Sequence, residues 1–150
     1  MLGSWVRVPA GSLKTTIIGG FFVLNMQKLS LWIMAALYFS AGINHFIHPQ
    51  FYWQIMPYWI GWHREIVAVS GILEITLALL LLLKRTRRIA AWGLVILLIG
   101  VFPANIQMLL NYCQDGNPYL WATMLRLPLQ FILIWWAYTF TKKESPTLHQ

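Results

Sequence analysis

Four long apolar stretches, broken by short polar or proline-bearing segments, organise most of the chain. They lie near residues 28–48, 64–83, 88–111 and 119–141. Each is long enough to cross a hydrocarbon layer as a helix, which takes about 20 residues. "HPQ" closes the first stretch, "KRTRR" the second and "NYCQDGNP" the third. Backbone groups in lipid must bond within their own segment, and the alternation of a barrel strand is absent. The pattern predicts an all-α integral membrane four-helix bundle over residues 26–143, followed by a short tail, 144–150.

Composition agrees. The 150 residues are 59% hydrophobic and 10% charged, with a mean hydropathy of +0.61. A soluble domain carries about 25% charged residues, so the lipid bilayer is the first partner this chain requires. The net charge of +7 sits in short clusters between apolar runs and forms no basic face, which argues against a nucleic-acid partner. Lys28, Lys84, Arg85, Arg87, Arg88, Lys142 and Lys143 all fall on one side of a four-span chain, and only Arg64 opens a span on the other. The excess of basic residues predicts that both termini are cytoplasmic, in a bacterial-type inner (plasma) membrane, with loops 49–63 and 112–118 outside.

Aromatic residues, including Tyr52, Trp53, Tyr58, Trp59, Trp62, Tyr112, Tyr119 and Trp121, gather at the outer ends of the spans, as headgroup-level anchors do. Cys113 is alone, which removes an internal disulfide, a CxxC pair and a cysteine-based zinc site. Residues 1–25 fit the pattern poorly. They read as an upstream extension before a start at Met26, or as a disordered arm. Residues 49–63 carry no Lys, Arg, Asp or Glu and contain two prolines. Such a stretch is suited to the outer interface as an amphipathic turn or short helix, acting as an anchor or as a lid.

The polar residues inside the spans are not spread evenly. At about 1.5 Å per helical residue, Asn44, His45 and His48 occupy the outermost turn of the first span. Ser70 and Glu74 lie about 9–15 Å down the second, Asn105 and Gln107 about 6–9 Å into the third, and Arg126 about 10 Å into the fourth with Gln130 one turn deeper. All four helices thus contribute to one polar layer in the outer half. Ser70 and Glu74, Arg126 and Gln130, and Asn44 and His48 are i,i+4 pairs that each share a helix face. Glu74 and Arg126 carry opposite charges at similar depth, so an ion pair across helices is expected, with a neutral, protonated Glu74 as the alternative. Pro103 and Pro128 lie beside these residues and free upstream carbonyls.

Two readings of the layer stay open: a pocket for a small ligand, and polar contacts that only fix helix register. His45 and His48, with His63 and Glu74, form too weak a pattern for a metal centre, and none is expected. The residues themselves dictate no cofactor.

At these positions the chain resembles the DoxX family of small four-helix membrane proteins. The resemblance covers about residues 28–138 and rests on "AGINHFIHPQFYWQIMPYW", "VSGILEITLALLLLLKRTRRIAAWG", "VFPANIQM" and "WATMLRLPLQ" within it. It implies a membrane subunit of a redox complex linked to quinone, the quinone being held without a covalent bond. It also implies a redox protein partner or a second copy of the chain. The family's namesake is associated with a thiosulfate:quinone oxidoreductase, and distant relatives act as assembly chaperones. The competing expectation is therefore a non-enzymatic protein that binds a lipid or a partner. A proton-coupled transporter is disfavoured, because the inner half offers no polar path.

Overall fold

The computed structural model describes residues 10–56 and 60–142, with side chains from residue 25 onward. Among these the chain is helical and contains no strand. The elements run α1 (Ala10–Ile47), α2 (Pro49–Gln54), α3 (His63–Leu82), α4 (Arg87–Gln114) and α5 (Leu120–Thr139). Four segments are long and apolar enough to cross a membrane: Asn25–Ile47, His63–Leu82, Arg87–Gln114 and Leu120–Thr139. They match the spans expected from hydropathy to within a few residues. Residues 10–24 continue α1 as helical backbone, and Met26 lies inside that helix. Residues 1–9, Tyr58, Trp59, Lys143 and the tail 144–150 lie outside the described residues.

Local chemistry sets the helix ends. Pro49 cannot continue α1 but suits the first turn of α2. α4 runs on to Gln114 because nothing in "NYCQ" breaks it. Gly116 then takes the left-handed conformation (φ 58°), and the Asn117 N–H donates to the Tyr112 carbonyl at 3.1 Å, a Schellman closure. In the basic turn between α3 and α4, the Thr86 hydroxyl donates to the Leu80 carbonyl at 2.8 Å, and Arg87 Nε to that of Leu81 at 3.3 Å. Both satisfy carbonyls at the end of α3, where a cation also suits the helix dipole.

Lipid gives apolar helices no hydrophobic reason to associate, so their contacts depend on close packing and buried hydrogen bonds. α1 packs along α3 through Gly42 and Gly71. α3 meets α4 where Leu77 fills the space over Gly93, and α4 packs along α5. Towards the end that carries Lys84, Arg85 and Lys142, here the basic end, the helices share one dry core. Its members include Met34, Leu81, Ala90, Ala91, Leu94 and Ala137, and its alanines let neighbouring backbones approach. Trp136 Nε1 donates to Ser30 Oγ at 2.8 Å and ties α5 to α1 at this end. At the opposite end, the α2 end, the pairs α1/α3 and α4/α5 enclose a cavity, with α2 lying across it.

Candidate functional site

The cavity has a volume of about 380 Å³, a size that accepts a small molecule. Most of its wall is apolar. The polar residues that reach it are His45 from α1, Tyr52 from α2, Ser70 and Glu74 from α3, Asn105 from α4, and Arg126 and Gln130 from α5. The polar layer that the depth count places at this end therefore surrounds a real space.

His45 and Glu74 form one buried corner of it. The His45 Nδ1 lies 2.9 Å from the Ala41 carbonyl oxygen. That oxygen can only accept, so Nδ1 carries the hydrogen, and Nε2 of the neutral ring is left as an acceptor. The same Nδ1 is 3.5 Å from Glu74 Oε2. Glu74 is 7% exposed, and its Oε2 has no hydrogen-bond partner among the described residues. Tyr38 is buried too, within electrostatic reach of Glu74, and its hydroxyl also lacks a partner. A buried polar atom left in this state costs about 1–3 kcal/mol. Of the two, Glu74 Oε2 stands at the cavity wall, which suits an occupied site better than an empty one.

Tyr52 closes the corner from above. Its ring stacks on that of His45, with centroids 3.8 Å apart and planes 19° from parallel. Asn44 Nδ2 donates to the Tyr52 oxygen at 2.7 Å. α2 is held from the other helices as well. Asn111 Nδ2 donates to the Gln54 carbonyl at 3.4 Å, the Arg64 guanidinium lies 4.8 Å from the Trp53 ring centre, and that of Arg126 lies 5.8 Å from Phe51. The first part of the aromatic, uncharged loop, Pro49–Gln54, is thus a short helix that lines the cavity through Tyr52, and Ile55, Met56 and Ile60 line it beyond that helix.

The expected ion pair between Glu74 and Arg126 does not form. Both side chains reach the cavity, but Glu74 faces His45, and Arg126 Nη1 donates to the Met108 thioether at 3.0 Å. The reason is neighbour order: α3 packs on α1 and α4, whereas α5 packs on α4. Equal depth does not make two helices adjacent. Arg126 has no carboxylate partner among the described residues.

Asn105 and Gln130 are satisfied by each other and by backbone. Asn105 Nδ2 donates to Gln130 Oε1 at 2.8 Å, and Gln130 Nε2 donates to the Leu98 carbonyl. Leu98 precedes Ile99, whose carbonyl is the one Pro103 leaves without its helical donor. This chain of bonds binds α4 to α5 beside the cavity. Ser70 Oγ donates to the Val67 carbonyl at 3.1 Å and still lines the space.

Three of the candidate residues stand apart. Asn44 acts through Tyr52, and Gln107 donates to Asn111 Oδ1 at 2.7 Å. His48 lies in a separate open cleft along α1 and α2. Among the described residues, no three His, Cys, Asp or Glu side chains come together as a metal centre. Tyr52 lines the cavity and Met108 accepts from Arg126, although the sequence marks Tyr52 only as an anchor and Met108 not at all; Tyr38 belongs to the adjoining apolar core. Tyr38, Ala41 and His45 recur at i, i+3 and i+7, a spacing that marks Tyr38 as sharing the face of His45.

A family model described as a domain of unknown function (DUF8561) matches residues 34–141, which takes in all of α2 to α5 and the cavity-facing part of α1. No curated protein and no solved structure matches the chain.

Proposed function

The chain belongs to the DUF8561 family, a domain of unknown function, and from the geometry of its site we propose that it is a ligand-binding membrane subunit of a redox complex. The observation that carries this reading is the cavity itself, where, among the described residues, Glu74 leaves Oε2 without a partner and Arg126 has no carboxylate to meet. A ligand with an oxygen-bearing head, a quinone or a small anion, complements both groups. Arg126 receives the carbonyl or anionic oxygen, and the corner formed by Glu74 and His45 exchanges protons. Reduction of a quinone head takes two electrons from a partner redox protein and two protons, one for each oxygen. The resemblance to DoxX proteins supports the redox setting. The basic clusters support an orientation with the α2 end outside and both termini cytoplasmic.

Wild type, Glu74→Gln and Arg126→Ala purified from native membranes test the proposal, with co-purifying quinone and quinone reduction as readouts. Ligand and activity in wild type alone, with all three proteins equally folded, is the expected result. Absence of ligand from wild type, with loss of folding in both variants, sinks it.

A second reading, polar contacts that only hold helices together, is favoured by the Asn105–Gln130–Leu98 chain, in which every bond is internal. That chain accounts for two residues of the layer and leaves His45, Glu74 and Arg126 to the ligand.

A further inference from the structure

The walls of the cavity indicate where its ligand comes from. Several lining residues are also exposed on the flank of the bundle: Ile66 on α3 (38%), Leu129 on α5 (50%) and Gly100 on α4, where an added Cβ would meet nothing within 4 Å. Counted from the α2 end of each helix, they lie about 5, 14 and 21 Å down. All three sit inside segments apolar enough to cross a membrane. The cavity thus reaches the surface that faces hydrocarbon. The end that would face water is obstructed instead, since α2 lies across it and is pinned from α1, α3, α4 and α5 by the contacts of Tyr52, Trp53, Gln54 and Phe51.

We propose that the cavity is filled sideways from the bilayer, so that its ligand is a membrane-dissolved amphiphile and not a water-soluble anion. The polar head enters along the flank that Ile66, Gly100 and Leu129 mark and meets Arg126 at the rim before the His45–Glu74 corner. An apolar tail remains in the mouth, where only apolar side chains and lipid surround it. This rests on the reading of the cavity as a ligand site, and decides between the two ligand classes that reading allows.

The route is tested without knowing the ligand. In the full chain carrying Cys113→Ser, a thiol is placed in the cavity by Ala104→Cys, or by Ala41→Cys if the first variant does not fold. The protein is reconstituted in lipid nanodiscs and treated with N-dodecylmaleimide or with a charged sulfonate methanethiosulfonate. Each rate is divided by that of the exposed Cys113 in the unaltered chain, reconstituted and treated in the same way. The dodecyl reagent is expected to label the cavity thiol at least about tenfold faster than the charged one, which hydrocarbon excludes. Adding Leu129→Trp or Ile66→Trp is expected to slow it about fivefold or more by filling the mouth. Equal labelling by both reagents, unaffected by the tryptophans, overturns lateral entry and leaves the cavity as a site reached from water. Failure of both reagents overturns the ligand site and this inference together.

Discussion

Gly42 of α1 and Gly71 of α3 meet backbone to backbone. A Cβ on Gly42 would lie 2.7 Å from the Gly71 carbonyl oxygen, and a Cβ on Gly71 would lie 3.0 Å from that of Gly42 and 2.9 Å from His45 Cβ. Small residues at a helix crossing let two backbones approach closely in lipid. Here that approach also brings His45 within 3.5 Å of Glu74, one turn further along each helix.

Substitution at this crossing is therefore expected to damage fold and site together. Gly71→Ala should cost about 1–3 kcal/mol, the usual penalty of overpacking, and Gly42→Val more, because carbonyl oxygens cannot swing aside as a side chain can. Thermal unfolding in mild detergent checks it. Gly100→Ala is the control, since a Cβ there meets open space and alanine favours a helix by up to about 1 kcal/mol. An unfolding temperature for Gly71→Ala equal to that of wild type would show that the helices are further apart than described.

The bonds between α4 and α5 lead to a second expectation. Gln130→Leu strands the Asn105 amide and removes the second bond to the Leu98 carbonyl, at a cost of about 1–3 kcal/mol. Asn105→Leu leaves Gln130 its backbone bond and should cost less. In membrane bundles such pairs couple by about 0.6 kcal/mol on average and 1.7 at most. A double-mutant cycle measured by unfolding should fall in that range, and additivity would mean the two amides do not meet.

Tyr52 can be altered to separate its ring from its hydroxyl. Tyr52→Phe keeps the stack on His45 and loses the bond from Asn44, whereas Tyr52→Ala loses both. Amide hydrogen exchange over residues 49–56 should quicken slightly in the first variant and strongly in the second, with α3 to α5 unchanged. Equal exchange in all three proteins would mean that α2 is held without Tyr52.

Much of this arrangement is legible in the sequence, because hydropathy and depth depend only on which residues lie along a span. The four helices and the polar layer at one end follow from that alone. What depth cannot supply is direction around the helix axis and the order of neighbours. His45 and Asn44 are adjacent in sequence yet turned by about 100°, so one faces the cavity and the other reaches it only through Tyr52. Arg126 and Glu74 share a depth but sit on helices separated by α4. Tyr52 lies in a segment too short and too uniformly aromatic for periodicity to distinguish an anchor from a wall residue. Tyr38 carried a signal, its spacing from His45, that the apolar run around it masks.

Arg126 offers the sharpest separation of function from packing. Were it one half of a structural ion pair, its removal would leave Glu74 as an uncompensated buried charge and cost about 3–5 kcal/mol. In the structure it donates to the Met108 thioether, and Glu74 makes no pair with it. An arginine within a span is unfavourable by about 2.5–3.5 kcal/mol on insertion scales. Arg126→Leu should therefore leave the empty bundle as stable as wild type or more so, while it abolishes ligand retention, the pattern of a residue kept for activity at the expense of stability. The double-mutant cycle with Glu74→Gln should show coupling below about 0.5 kcal/mol, as for groups that do not touch. Strong coupling, with destabilisation by either single change, would mean that the two charges pair in the membrane and that the layer serves packing after all.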